Sequence, residues 1–197
     1  MVDVVIEGGQ TMNPSTEDFL NAIEQVKAER IFIMPNNSNI IMAANQAKAL
    51  TSKNVTVIPT KTVPQGIAAV LAFNMEADQT ENENHMMEAQ KTVRTGQVTY
   101  AVRDTEMNGL AIRKGSMIGI GDKEIVSTGE DSQKVALDLI KHMVREDDEI
   151  LTIYYGNDIS ESSADILGEK IAQLFPDLEI EVYYGGQPLY YYILSLE

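Results

Sequence analysis

Short apolar runs alternate with longer stretches of helical spacing through the first half of this chain. Residues 4–7 read as a strand, and Phe19, Leu20, Ile23 and Val26 then fall on one helical face across residues 16–27. Ser15 is the expected N-cap, and Glu17 and Asp18 in the first turn suit the positive end of a helix dipole. Residues 30–34 form a second apolar run, followed by the polar loop 35–39 and a helix over 39–50 carrying Ile40, Ile41, Ala44, Ala47 and Leu50. Residues 55–58 give a third strand. Pro59 and Pro64 bracket a turn into residues 65–73, whose unbroken hydrophobicity predicts burial on most sides. Strands and helices alternating over short links predict βαβ units and a largely parallel sheet.

Residues 74–84 change character: they are polar and acidic without an apolar period, and they read as a solvated connection into a helix over 83–93. Beyond Gly96 the pattern turns β-rich, with runs at 98–102, 110–112, 117–120 and 123–126 punctuated by Gly109, Gly115 and Gly121. Short strands with glycine turns predict antiparallel hairpins. A helix over 131–144 stacks Val135, Leu139 and Met143, and a strand at 150–155, a helix at 160–175 and strands at 178–183 and 189–196 complete the chain. The expected fold is α/β with two subdomains: residues 1–95 around a largely parallel sheet with flanking helices, and 96–197 around a mixed sheet with helices.

Composition narrows the function. The 197 residues are 44% hydrophobic, enough for a real core, and contain no cysteine, which excludes disulfides, thiolate metal sites and thiol catalysis. A formal charge of −15 repels a phosphate backbone and sets nucleic acid aside; a surface this acidic usually serves only to keep a protein in solution, with the steering of a basic partner at low salt as the alternative. The longest apolar run is far short of the roughly 20 residues a bilayer helix needs, so no membrane span is expected. A cysteine-free chain without a signal peptide is most simply cytoplasmic. The entry into a strand directly after Met1-Val2-Asp3 suggests a domain taken from a larger protein.

Catalytic patterns are missing from the sequence. His85 and His142 lie far apart among polar neighbours, and no serine sits in a Gly-x-Ser-x-Gly elbow. The run Glu146-Asp147-Asp148-Glu149 lacks the alternation and central glycine of a calcium loop and reads as a solvated helix end. Neither common glycine-rich phosphate loop is present. No catalytic residue, metal or cofactor is therefore expected.

Binding candidates remain, each with a structural alternative. Gly8-Gly9-Gln10-Thr11-Met12-Asn13-Pro14-Ser15 joins a strand to a helix and is echoed by Gly185-Gly186-Gln187-Pro188. Paired glycines let backbone amides approach a ligand, and they also serve any tight strand-to-helix turn. Asn36, Asn37 and Asn39 lie where open α/β sheets bind ligands, at the carboxyl ends of strands, although asparagines also build local turns. Seven of the eight tyrosines, among them Tyr190, fall in the last quarter, on strands or their ends. Alternation along a strand sends neighbours to opposite faces, so some must be displayed, as at a protein contact surface, unless cross-strand pairing accounts for them.

These motifs support a family resemblance. Thr11-Met12-Asn13-Pro14-Ser15 with its following helix and strand resembles the Thr-Ser-x-Pro-Ser segment of the DegV family, fatty-acid-binding proteins that include FakB. The four motifs Gly8 to Ser15, Pro35-Asn36-Asn37, Val57-Ile58-Pro59-Thr60-Lys61-Thr62-Val63-Pro64-Gln65-Gly66 and Gly185-Gly186-Gln187-Pro188 together look like the C-terminal region of FakA-type subunits of bacterial fatty acid kinase, also described as DAK2 or YloV-type. That resemblance implies a longer parent chain with an N-terminal kinase domain and a middle domain. This chain lacks the kinase's Asp-Gly-Asp-x-Gly signature, which implies a fragment that does not transfer phosphate. The implied partners are a FakB-like fatty-acid-binding protein and the parent's own domains, with docking for acyl phosphate formation as the implied role. Lipid binding in its own right and a scaffold or homo-oligomerisation role are the alternatives. In DegV-type binders a Ser-Ser-x-Leu-Ser-Gly-Thr loop helps hold the acyl carboxylate; here the stretch from Asn36 to Met42 has lost most of those hydroxyls. The family's C-terminal histidine has no counterpart in Gly185 to Glu197. A carboxylate buried without donors costs several kcal/mol, so the resemblance implies a lipid site that does not function.

Overall fold

The computed structural model describes residues 2–8, 12–107, 110–121 and 124–197. Two compact units divide the chain, Met1–Val93 and Arg94–Glu197. Both units mix helices with strands.

In the first unit α1 (Thr16–Gln25) starts at a capping box: the Ser15 hydroxyl accepts from the Asp18 amide at 3.2 Å, and the Asp18 carboxylate accepts from the Ser15 amide at 2.7 Å. The Ser15 amide and then its hydroxyl, both donating to the Asp18 carboxylate, hold that carboxyl below its usual range. The helix has no basic residue in its last turn. Lys53 supplies one from elsewhere, donating to the carbonyls of Ile23, Glu24 and Val26. Strands β1 (Arg30–Ile33) and β2 (Asn54–Val57) pair in parallel, connected through α2 (Ile41–Leu50). Phe19 and Ile23 of α1, Ala44 and Ala47 of α2, and Ile31 and Val55 of the strands form one core. A second, around Ile58, Ala69 and Met86, lies under α3 (Val63–Leu71) and α4 (Gln79–Thr92).

Three expectations are corrected here. Residues 4–7 join no ladder: Val5 is exposed and only Ile6 packs on the core, so the apolar run gains no paired partner. Helix α3 is not buried on most sides. Val63, Ile67 and Leu71, four residues apart, leave one apolar stripe in solvent while Gly66 and Ala69 face inward. The polar stretch after it is folded rather than a loose solvated link, because α4 begins at Gln79 behind the N-cap Asp78. Asn82, 1% exposed, accepts from the Asn74 amide at 2.8 Å and donates to the carbonyls of Asn74, Ala77 and Asp78. A leucine at this position would leave the Asn74 amide without its acceptor and take one donor from each of the three carbonyls. Asn82→Leu is expected to lower unfolding free energy by about 2–3 kcal/mol, read as a shift in the urea midpoint.

The second unit is built on a six-stranded sheet in the order β7-β6-β3-β10-β8-β9. Its strands are β3 (Arg94–Tyr100), β6 (Met117–Gly121), β7 (Glu124–Gly129), β8 (Ile150–Tyr155), β9 (Glu179–Tyr184) and β10 (Tyr192–Leu196). Only the β8–β9 pair is parallel; β10 lies antiparallel between β3 and β8. A hairpin, β4 (Thr105–Met107) with β5 (Leu110–Ile112), stands apart from the sheet, and β4 is a strand that the periodicity had not revealed. Helices α5 (Ser132–Met143) and α6 (Glu161–Leu174), capped by Asp131 and Ser160, cover a core of Val135, Leu139, Ile140, Leu151, Ile153, Leu167, Ile171, Tyr192 and Leu194.

One acidic feature differs from expectation. Asp148 is not part of a solvated helix end: with Arg94 it forms an ion pair whose side chains are 6% and 15% exposed. Asp104 accepts from the Lys114 amide at 2.6 Å. Tyr192 is fully buried, and its hydroxyl has no well-formed hydrogen bond among the described residues. Burial pushes its phenol up to about 12, held back only by the nearby Ser132 hydroxyl. Tyr192→Phe is therefore expected to be neutral or stabilising, since it removes an ill-satisfied buried group. Because the folded-state pKa lies above the unfolded value near 10, the unfolded chain loses this proton first as pH rises. Stability should thus fall between about pH 10 and 12 more steeply in the parent than in the Phe variant, as urea midpoints across that range would report.

Candidate functional site

The first candidate is the crevice at the carboxyl ends of β1 and β2, where an open α/β sheet presents its loops. Asn36 follows β1 with φ 58°, the left-handed conformation that asparagine tolerates better than most residues. That geometry folds its side chain back across the crevice. The Thr60 hydroxyl, fully buried, donates to Asn36 Oδ1 at 2.8 Å and accepts from the Asn36 amide at 3.0 Å. Gly66, in the first turn of α3, makes room for it: a Cβ there would lie 2.1 Å from Asn36 Oδ1. The carboxamide thus occupies the space between the strand ends and the start of the helix, and uses the buried hydroxyl as its donor. At the rim, the Thr62 side chain accepts from the Gln65 amide as the N-cap of α3, and the Gln65 carboxamide accepts from the Lys61 amide at 2.9 Å.

The other asparagines serve the turn. Asn37 Oδ1 accepts from the Asn39 amide at 2.9 Å, and the Asn37 carbonyl accepts from the Ile40 amide. Asn39 is exposed. Of the glycine-rich segment before α1, Gly9, Gln10 and Thr11 lie outside the described residues; Gly8 and Asn13 are exposed beside the buried Pro14. A Cβ on Gly8 would meet the Pro14 ring at 2.7 Å.

Gly185, Gly186, Gln187 and Tyr190 belong to the second unit, where they lie against the segment that follows β8. A Cβ on Gly156 would stand 2.2 Å from the Tyr190 carbonyl oxygen and 2.6 Å from that of Gln187. The Asn157 amide donates to the Gln187 carbonyl, and Gln187 Nε2 to the Tyr154 carbonyl at 2.9 Å. Gly186 takes φ 65° and Leu189 φ 69°. For leucine that conformation costs about 1–3 kcal/mol and persists because its surroundings impose it. Its carbonyl is held by the Thr99 hydroxyl at 2.7 Å.

The tyrosines divide as alternation requires. Tyr155 and Tyr192 are core, whereas Tyr183 and Tyr184 are 50% and 65% exposed. The register sets Tyr154 beside Tyr183 and Tyr155 beside Tyr184, with ring centroids 6.2 and 5.3 Å apart. The Tyr184 hydroxyl donates to Asn157 Oδ1 at 2.5 Å. Burial, reinforced by nearby carboxylates, raises the phenols of Tyr154 and Tyr155.

Sequence reasoning missed Thr60, Gly66, Gly156 and Asn157. The glycines offered a signal, since each stands where strand and helix segments meet, but nothing in the sequence pairs Thr60 with Asn36. Both histidines are exposed, and among the described residues no cluster of three or more His, Cys, Asp or Glu could hold a metal ion. No helix among the described residues is long and apolar enough to cross a membrane.

Comparison with known proteins agrees with this picture. The family model for the C-terminal region of FakA-like fatty acid kinase proteins matches residues 1–197. The chain is 50% identical over 194 residues to Protein YloV of Bacillus subtilis, covering 98% of this chain and 35% of that protein. An uncharacterized protein of Staphylococcus aureus is 43% identical over 193 residues, covering 98% and 35%. The chain therefore spans about a third of the length of the curated relatives it matches. Among solved structures, the Streptococcus pneumoniae fatty acid kinase (Fak) B3 protein loaded with linoleic acid aligns with TM-score 0.65 at 14% identity, over 93% of this chain and 76% of that one. A fatty-acid-binding DegV family protein from Thermus thermophilus aligns with TM-score 0.64 at 11% identity, over 94% and 78%. At such identities the likeness establishes the fold alone. The match along the whole sequence establishes more: this chain belongs to the FakA-like C-terminal family of fatty acid kinase.

Proposed function

We propose that this chain is a docking domain of a fatty acid kinase, which receives a FakB-like fatty-acid-binding protein and holds no acyl chain of its own. The observation that carries the reading is the hydrogen bond from the buried Thr60 hydroxyl to Asn36 Oδ1, in the space that Gly66 leaves open. In a fatty-acid-binding relative of this fold, a lipid carboxylate needs donors at such a crevice. Here the chain's own carboxamide oxygen takes the donor. A carboxylate displacing it would have to break that bond and find others, in a protein whose charge of −15 already opposes an anion. The domain keeps the fold of an acyl binder with that donor already taken, and a domain of that kind suits recognition rather than retention.

The parent's phosphate transfer would belong to other parts of the longer chain, the kinase and middle domains, with this region contributing no catalytic residue, cofactor or metal. The candidate contact residues of this reading are Gly8, Asn13, Asn36, Asn37, Asn39, Gly185, Gly186, Gln187 and Tyr190; Gly9, Gln10 and Thr11 are candidates from the sequence that lie outside the described residues. A cytoplasmic setting fits it.

Calorimetric titration of the chain with the acyl-loaded fatty-acid-binding protein of its own kinase tests the reading. Saturable one-to-one binding is the expected result. No binding at tens of micromolar, with or without lipid on the partner, overturns it. Sedimentation of the chain alone separates docking from the scaffold alternative, which calls for a stable dimer without the partner.

A further inference from the structure

The end of the second unit's sheet where β8 and β9 finish and β10 begins carries three exposed aromatic and apolar side chains, Tyr183, Tyr184 and Leu189. Tyr183 and Tyr184 end β9, the outermost strand, and are half or more exposed; Leu189, 42% exposed, is held in its left-handed turn just before β10. These groups are fixed in place. Tyr184 lies on the ring of Tyr155, its hydroxyl bonded to Asn157, and Gly186 approaches it so closely that a Cβ would sit 3.3 Å from the ring. Tyr183 lies beside Tyr154, and its hydroxyl donates to Glu181 Oε1 at 3.3 Å. Rigid, displayed tyrosines of this sort are the usual anchors of protein interfaces, because they bury much area while losing few rotamers.

Charge says what would cover them. From residue 146 to the C-terminus the chain carries twelve acidic residues and one basic residue, Lys170. Asp158 follows β8, Glu161 and Asp165 occupy the first turns of α6, and all three border this end of the unit. Glu161 and Asp165, which open the helix that follows β8, stand close enough to Tyr155 for their charge to help raise its phenol, on the Tyr184 side; Glu181, which accepts from the Tyr183 hydroxyl, lies on the Tyr183 side. Each displayed ring is thus bordered by carboxylates. A second copy of this chain would bring carboxylates against carboxylates, and an anionic membrane or nucleic acid would be repelled in the same way.

We infer that this end of the sheet, centred on Tyr184 and rimmed by Asp158, Glu161 and Asp165, is where the docked partner binds, through a face of that partner bearing arginine or lysine around apolar residues. The inference rests on the docking reading and locates its surface. Aromatic anchors supply affinity, and the acidic rim steers the encounter and sets register.

The test is a titration of the chain, wild type and variants, with the acyl-loaded fatty-acid-binding protein, run in low and in high salt. Tyr184→Ser, at an exposed ring, should weaken binding at least tenfold with little change in melting temperature. The pair Glu161→Lys and Asp165→Lys should slow association about tenfold and flatten its salt dependence. Leu71→Ser, on the exposed stripe of α3, is the comparison and should leave affinity unchanged. Wild-type affinity in both the tyrosine and the charge-reversal variants, or loss confined to the Leu71 variant, overturns this surface while leaving docking intact. Absence of binding by the wild type overturns the docking reading and the surface with it.

Discussion

Gly156→Ala is expected to destabilise the second unit by about 3 kcal/mol, although alanine is an unremarkable residue for its backbone. The added methyl would lie 2.2 Å from the carbonyl oxygen of Tyr190 and 2.6 Å from that of Gln187. Neither oxygen belongs to a flexible side chain that could swing away. The segment carrying them is tied down by Gly156 N–H to the Tyr191 carbonyl, Asn157 N–H to the Gln187 carbonyl, Gln187 Nε2 to the Tyr154 carbonyl and the Thr99 hydroxyl to the Leu189 carbonyl. Making room for one methyl means moving several of these bonds together. Gly115→Ala is a useful contrast, since a Cβ there meets nothing within 4 Å and only its φ of 88° resists. That change should cost about 1 kcal/mol. Urea unfolding of both variants checks the comparison: equal losses would mean that segment 185–190 yields readily and is not a rigid platform. Because the same segment seats Tyr184, Gly156→Ala should also weaken partner binding at temperatures where the unit remains folded.

The second large effect is at the pair buried between the start of β3 and the segment after α5. Arg94 donates through Nη1 to the Met143 carbonyl and through Nη2 to the Asp148 carboxylate, which also accepts from the Arg145 amide at 2.8 Å. Arg94→Met would leave the Asp148 charge at 6% exposure with no cation, and the Met143 carbonyl without its donor. The expected loss is about 3–5 kcal/mol. Replacing both partners with apolar residues, Arg94→Met with Asp148→Leu, should recover much of it, since the penalty comes from an uncompensated buried charge more than from the missing attraction. Chemical denaturation of the two variants decides the matter. A double variant no more stable than the single would show that the lost attraction, and not the stranded charge, sets the penalty.

Much of the architecture was legible because its determinants are local. Ser15, Asp131 and Ser160 announce helix starts by their chemistry, the spacing of Val135, Leu139 and Met143 announces a buried face, and alternating elements announce the α/β class. The failures share a physical cause, which is that composition reports a segment's average surroundings and not its partners. Residues 74–78 look like a solvated linker because they are polar, yet one buried asparagine four to eight positions on satisfies their backbone. Asp148 sits in an acidic run and is buried all the same, because Arg94 lies 54 positions away in sequence and beside it in space. Residues 63–71 carry no charge and still expose a stripe, since an uncharged surface leaves no periodicity to read. Val4 and Val5 have strand composition but find no strand to pair with.

The site was legible only in part. Asparagines after β1 marked a place of special backbone, and Asn36 takes the left-handed conformation they tolerate. What they do there depends on Thr60, 24 positions on, and on the missing side chain of Gly66, so their role emerges only when the two loops meet. The tyrosine cluster was visible as a count; which rings are core and which are displayed required the register of β8 against β9.

Under the docking proposal Asn36, by taking the Thr60 hydroxyl, leaves the chain unable to retain a fatty acid. Native mass spectrometry of the chain purified from acyl-rich cells puts this to the test. The expected mass is that of the bare polypeptide, also after incubation with excess linoleic acid. A stoichiometric acyl adduct that survives desalting, and that a Thr60→Val substitution abolishes, would refute it.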